Sequence, residues 1–172
     1  MSRPEQSGST PRDGHRQAAG RLVLGWKEYV ELPQWDLGLR AKLDTGARSS
    51  ALHVADLEPF DFDAEGTPRR VRFDVVLGTR KRPEHHPVEA PLVGMRSVRD
   101  TGARAELRPV VRTRIRCGPL ETTANVTLTS RAGMNFRMLL GRLTLEGHCL
   151  VDPQHGYLHT QPPKRARRTV AR

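Results

Sequence analysis

Apolar residues recur at every second position over much of this chain, and that spacing limits the fold more than any other feature of the sequence. Leu37, Leu39, Ala41 and Leu43 make one such run; Val71, Phe73, Val75 and Leu77 make another. Successive side chains of a strand point to opposite faces, so a period of two buries one face, whereas a helix would need apolar residues three and four apart. Val110 to Arg116, where β-branched residues alternate with arginines, reads as a strand as well. So does Leu120 to Thr129, where Leu120, Ala124, Val126 and Leu128 share a face. Short strands separated by Gly, Pro and Asp clusters predict an all-β domain, a compact barrel or sandwich. The one helix expected is short, from about Arg142 to Glu146, after the apolar run Met138-Leu139-Leu140-Gly141.

A chain of 172 residues with 36% hydrophobic content supports one modest core. Residues 1–20, polar and rich in Gly, Pro and Ser, are expected to be a disordered leader, residues 21–160 the domain, and residues 161–172 a basic disordered tail. The net charge of +10 invites a nucleic-acid reading, but Lys164, Arg165, Arg167, Arg168 and Arg172 of the tail carry half of it. No aromatic residues are interleaved there to stack bases, so a solvated tail is the favoured reading and nucleic acid is not expected as a partner. The leader has no apolar stretch to serve as a signal-peptide core or membrane span, which points to a cytoplasmic protein with no membrane association. Cys117 and Cys149 have neither metal-ligand spacing nor the numbers for a disulfide scaffold, and read as reduced, buried thiols.

One pentapeptide occurs twice. Asp44-Thr45-Gly46-Ala47-Arg48 returns as Asp100-Thr101-Gly102-Ala103-Arg104. An apolar strand, Leu39 to Leu43, leads into the first copy, and a second apolar stretch, Ala51 to Val54, follows it. A strand anchored in a core and a glycine that lets the backbone turn sharply would present the Asp44 carboxylate from a rigid loop. The second copy has no apolar strand before it and no apolar exit after it. It reads as a hairpin turn, with Asp and Gly chosen for turn geometry. The alternative, that both aspartates of one chain work together, has less in its favour, because the short separation leaves little room for a duplicated lobe and no second Gly-Arg segment accompanies Asp100.

The first copy resembles the active-site motif of retropepsin-like aspartic peptidases. Met138-Leu139-Leu140-Gly141-Arg142-Leu143 resembles the apolar-apolar-Gly-Arg segment that such enzymes carry late in the chain, just before a short helix. Within that group the chain is most similar to a bacterial and archaeal family formerly labelled ATP-dependent zinc proteases and now regarded as retropepsin-like. The resemblance rests on Leu24 to Val30, Lys42 to His53, Val111 to Arg116, Val126 to Arg131 and Met134 to Arg142, and so spans about residues 22–160. It implies a closed acid-protease barrel with a short C-terminal helix, and a homodimer in which each protomer supplies one aspartate. Asp44, Thr45 and Gly46 are then the catalytic loop, Thr45 bracing it against its twin. Ala47, Arg48 and Ser49 border a protein or peptide substrate, and Leu140, Gly141 and Arg142 support the loop, with Arg142 steadying it by hydrogen bonds or an ion pair. Arg48 departs from the viral pattern, which is often acidic at that position, so neighbouring subsites should differ. The flap is expected within Arg72 to Val93, with its tip near Pro83 to Pro87.

No metal or cofactor is expected. The seven histidines include no H-E-x-x-H and no Cys/His pairs at zinc spacing, which leaves a site among His148, His155 and His159 with Cys149 or Asp152 as the minor alternative. His85 and His86 read as solvated loop residues. No Gly-rich phosphate loop exists for ATP. The competing class of function is a peptide-binding or regulatory module of the same fold that does not cut. The resemblance also implies an association with ATP-grasp ligases that add glutamates to proteins.

Overall fold

The computed structural model describes residues 17–18, 21–79, 81–99, 105–130 and 135–161. The alternation that opens the sequence becomes a strand, β4 (Leu37–Asp44), whose Leu37, Leu39, Ala41 and Leu43 are buried while Arg40, Lys42 and Asp44 share the other face. Before it come β1 (Gln17–Ala18), β2 (Arg21–Gly25), β3 (Lys27–Leu32) and a single 3-10 turn, Pro33–Trp35. After it come β5 (Ser50–Phe62), β6 (Pro68–Thr79), β7 (Arg82–Arg99), β8 (Ala105–Cys117) and β9 (Leu120–Thr129). The chain then forms β10 (Met138–Gly141), α1 (Arg142–Leu145) and β11 (Cys149–Asp152). The all-β expectation holds, with α1 where the short helix was expected.

Eight strands form one sheet in the order β10-β4-β3-β8-β7-β6-β5-β9, and further pairings of β8 with β9 and of β10 with β5 close it on itself. Closure leaves few unpaired edges and surrounds one core, in which Phe73, Leu24, Leu52, Ile115, Leu128 and Leu140 are fully or almost fully buried. In β8 the alternation is strict from Val111 to Cys117, with Arg112, Arg114 and Arg116 exposed between buried neighbours. A small second sheet, β1-β2-β11, joins the two ends of the domain.

Those ends are also joined by a buried acid. Glu28 of β3 is fully buried; its Oε1 accepts from the backbone N–H groups of Gly25 and Leu158, and its Oε2 from the backbone N–H and hydroxyl of Thr160. Four donors compensate a carboxylate that would otherwise be costly to remove from water. Tyr157 to His159 follow an irregular path: the Leu158 N–H turns to the Glu28 side chain, while the Tyr157 N–H donates to the Lys27 carbonyl. The two cysteines are free thiols; Cys117 is buried and Cys149 half-buried, and burial pushes the Cys149 thiol up to about 11.

Pro83 to Pro87 do not form a loop tip. They lie in β7, opposite Gly78 to Asp74 of β6, and the hairpin turns between Thr79 and Arg82. The prolines are accommodated because β8 joins β7 only from Leu92 onward, so a missing N–H on the open side costs no ladder bond.

Candidate active site

β4 ends at Asp44, β5 starts at Ser50, and the five residues between them form the loop that the sequence singled out. Two strands that flank a loop usually pair with each other. Here β10 lies between them: it runs parallel to β4, with Leu140 opposite Leu43 and Gly141 opposite Asp44, and antiparallel to β5, with Leu139 opposite Ala51. The loop is therefore pinned by a third strand brought from the far end of the chain.

Gly141 makes that crossing feasible. A Cβ at this position would lie 2.5 Å from the carbonyl carbon and 2.6 Å from the carbonyl oxygen of Ser49, closer than atoms pack, so a side chain would push the loop away. Beyond it, the first N–H groups of α1, which have no partner within the helix, donate to the loop: Arg142 to the Ala47 carbonyl at 2.8 Å and Leu143 to the Arg48 carbonyl at 3.1 Å. The Gly141 N–H donates to Ser50 Oγ at 3.1 Å, and that hydroxyl also meets the Thr144 hydroxyl at 2.7 Å. Thr127 of β9 closes the network by donating to the Ser50 carbonyl.

Asp44 sits on this platform with its side chain one-quarter exposed. Its Oδ1 accepts from the Gly46 and Ala47 N–H groups at 3.1 and 3.3 Å, and its Oδ2 from Lys42 Nζ at 3.0 Å. The Lys42 hydrogen bond and charge, helped by the two backbone donors, hold the carboxyl below its ordinary range against the opposing effect of burial. The result is an oriented, ionised carboxylate at the surface of a rigid loop, the form in which an aspartate can act as a base.

The expected site residues fall together. Asp44, Thr45, Gly46, Ala47, Arg48 and Ser49 make the loop; Leu140 is buried beneath it, and Gly141 and Arg142 abut it. Thr45 is exposed and its hydroxyl has no hydrogen bond among the described residues. Gly46 and Ala47 aim their N–H groups at Asp44 itself. Arg142 serves the loop through its backbone N–H, while its side chain is exposed. Besides Ser50, Thr127 and Thr144 of the supporting network, Lys42 and Arg96 were not picked out from the sequence. Lys42 was quoted within the motif but given no role, although two residues before Asp44 on a strand is the same face. Arg96, whose Nη1 donates to Ser49 Oγ at 2.8 Å, is remote in sequence and carries no local signal.

That Arg96 contact bears on the flap. Arg96 belongs to the β7–β8 hairpin, in which Arg96 lies opposite Arg108 and Arg99 opposite Ala105. The contact with the Asp44 loop thus comes from β7 where it pairs with β8, beyond the Arg72 to Val93 stretch in which a flap was expected. The second pentapeptide copy, Asp100 to Arg104, lies outside the described residues and connects these two antiparallel strands. The basic tail beyond Gln161 and the leader, apart from residues 17–18, also lie outside them.

Two of the three histidines weighed for zinc have hydrogen-bond partners. His155 Nδ1 is 2.7 Å from Asp152 Oδ2, and His159 Nε2 is 2.9 Å from the Val23 carbonyl. His85, expected in a loop, is in β7 and bonds Asp74 at 3.0 Å, with Asp56 close enough that the three could share a ligand. His53 of β5 is buried, and burial lowers its pKa.

An aspartate loop at the end of one strand, pinned by a Gly-Arg strand threaded between its flanks, defines a retropepsin-like protein. A family model described as "Retropepsin-like aspartic endopeptidase RimB" matches residues 23–162, and the chain belongs to this RimB-like family. Among curated proteins it is 34% identical over 135 residues to a "Probable alpha-L-glutamate ligase" of Parasynechococcus marenigrum (strain WH8102), covering 78% of this chain and 28% of that protein. It is 30% identical over 138 residues to a protein of the same description from Shewanella pealeana (strain ATCC 700345 / ANG-SQ1), covering 80% and 30% respectively. The chain thus spans less than a third of the length of these relatives. The crystal structure of Lpg0085, a protein of unknown function from Legionella pneumophila subsp. pneumophila str. Philadelphia 1, matches 78% of this chain and 95% of its own, with 31% identity and a TM-score of 0.61.

Proposed function

We propose that this chain is an aspartic endopeptidase of the cytoplasm whose active site forms between two copies of itself. The observation that carries the proposal is the Asp44 loop. It is held by β10, α1 and Ser50, and its aspartate receives two backbone N–H groups at one oxygen while remaining open to solvent. A loop that served only to connect strands would not need a third strand and a bare glycine to fix it.

Peptide hydrolysis with carboxylates alone needs two of them. One takes a proton from the attacking water while the other, protonated, hydrogen-bonds the scissile carbonyl oxygen. At a separation of a few Å the two share a single proton because both cannot be charged. A two-fold axis beside Thr45 brings Asp44 and its symmetry mate together, so the substrate is a peptide lying across both loops. The water adds to the carbonyl carbon, the tetrahedral intermediate collapses, and the amine leaves with a proton returned by the dyad.

The test is cleavage by wild type, Asp44→Asn and Asp100→Asn against a diverse peptide library. Asp44→Asn should abolish cleavage with the dimer intact, and Asp100→Asn should be nearly silent. Equal loss from both would point to two aspartates in one chain, and cleavage that survives Asp44→Asn but not a zinc chelator would revive the metal reading. The names of the curated relatives favour a second reading of the context. A domain of this kind within glutamate ligases suits a role beside glutamate addition, trimming the modified chain or, without cutting, binding it.

A further inference from the structure

Between the buried residues Val71, Phe73 and Val75, β6 turns Arg72 and Asp74 to the outer face of the sheet. Arg72 stands opposite Glu58 of β5 and Glu89 of β7, and its guanidinium reaches both, Glu89 at 2.8 Å and Glu58 at 3.6 Å. One cation on the middle strand thus joins the acids on its two flanks. Asp74, one step along the same face, meets the opposite arrangement. Ala55 of β5 stands across from it and is followed by Asp56, while on β7 His85 lies two residues from Pro87, the direct partner of Asp74, and so shares its face. Here the middle residue is itself an acid, with a second acid on one side and an imidazole on the other.

Asp56 joins this group through a bulge. In a regular strand it would point away from the face of Ala55, and so from Asp74. The register of β5 on β6 shifts between Ala55 and Glu58, and Asp56 takes a φ of +48°, in the left-handed region that few residues other than glycine adopt. A carboxylate oxygen of Asp56, one of Asp74 and a ring nitrogen of His85 then lie within 4.8 Å of one another, and His85 Nδ1 is 3.0 Å from Asp74 Oδ2. Around a metal with bonds of about 2.1 Å, neighbouring ligand atoms stand about 3 Å apart, so small rotations of these side chains complete the set. Charge points the same way. Asp74 has His85 as its partner, the Asp56 carboxylate has none among the described residues, and no described lysine or arginine pairs with either acid, in a chain that contains 29 of them.

We propose that Asp56, Asp74 and His85 bind one divalent transition-metal ion, which joins this row of side chains as the Arg72 guanidinium joins the row beside it. Two carboxylates alone would suit calcium or magnesium; the imidazole nitrogen moves the preference to ions of the zinc type. The ligands come from three strands, so the ion ties the β5 bulge to β6 and β7. None of them belongs to the Asp44 loop, and the site is independent of the peptidase reading.

The experiment titrates Zn²⁺ and Mg²⁺ by calorimetry into the full chain, dialysed first against a chelator and then against buffer, for wild type, Asp56→Asn, His85→Ala and Asp152→Asn, each checked for folding by circular dichroism. Wild type should bind one Zn²⁺ per chain, and Mg²⁺ at least about tenfold more weakly. Asp56→Asn and His85→Ala should each weaken Zn²⁺ binding by roughly ten- to a hundredfold. Asp152→Asn, which alters the contact with His155 instead, should leave it unchanged. Zn²⁺ at about a hundred times its Kd should raise the Tm of wild type by roughly 5–10 °C, and that of the two ligand variants by less. The absence of saturable Zn²⁺ binding, or equal binding by wild type, Asp56→Asn and His85→Ala, would overturn the proposal. So would a loss confined to Asp152→Asn, which would move the ion to His155, and so would Mg²⁺ bound as tightly as Zn²⁺, which would leave the imidazole without a part.

Discussion

Gly141→Ala tests whether the loop is held as tightly as the geometry requires. The added methyl would lie 2.5 Å from the Ser49 carbonyl carbon, 2.6 Å from its oxygen and 2.9 Å from its nitrogen, all backbone atoms that cannot rotate away. Restoring ordinary contact requires the loop and β10 to separate by about 1 Å. Overpacking of this kind costs about 1–3 kcal/mol, and the bonds from Gly141, Arg142 and Leu143 to the loop stretch with it. For a domain of this size that is a fall in Tm of roughly 3–12 °C. A 1 Å misplacement of a catalytic group costs about a hundredfold in rate, so Asp44-dependent cleavage should fall further than stability alone explains. Gly66→Ala is the control: Gly66 lies in the β5–β6 turn at φ +78° with nothing near its missing Cβ. It should lose about 1–2 kcal/mol from backbone strain and no activity. Scanning calorimetry and peptide cleavage on both variants decide the matter. If Gly141→Ala matched Gly66→Ala in both readouts, the claim that β10 positions the loop would be wrong.

Two other changes probe the buried acid and the exposed one. Glu28→Gln puts an NH₂ group against N–H donors that now meet a carboxylate oxygen, and should cost about 1–3 kcal/mol in urea denaturation; a loss under about 0.5 kcal/mol would show that the chain ends are held without it. Because the Asp44 pKa is lowered on folding, chiefly by Lys42, the stability it contributes is present above the ordinary carboxylate pKa and fades as pH falls through its lower folded value. Both groups are partly exposed, so the effect is at most about 1 kcal/mol. Urea midpoints at pH 7, 4 and 2 should show wild type losing more on acidification than Lys42→Gln, and parallel curves would refute the pairing.

The strands were legible because their burial follows a period of two that tertiary packing reinforced: Leu37 to Leu43 and Val111 to Cys117 are buried as their spacing implies. The loop was legible because its residues are contiguous. What could not be read is what sequence separation hides. Arg96 and Ser49 meet only because β7 pairs with β8 near the loop, and Ser50 meets Thr144 only because β10 inserts between β4 and β5. The tip expected near Pro83 to Pro87 was misplaced because prolines suggest turns, and a strand paired on one side tolerates them. Glu28 was quoted in a motif, but nothing local marks it as the acceptor for Leu158 and Thr160.

The repeated pentapeptide separates composition from context. Both copies contain the same five residues, yet only the first follows a strand whose alternate residues are buried and whose far side receives β10. The second copy lies outside the described residues; the strands on either side of it, β7 and β8, pair with each other up to Arg99 and Ala105. What fixes the position of an Asp-Thr-Gly loop is its anchoring, and among the described residues that anchoring is found at Asp44. The peptidase chemistry proposed above needs two such carboxylates and would take the second from another copy of the chain. In the single chain, Lys42 supplies the countercharge that Asp44 would otherwise lack. On the proposed reading, the contact that holds a lone protomer's Asp44 ionised is the one that pairing with a second copy has to displace.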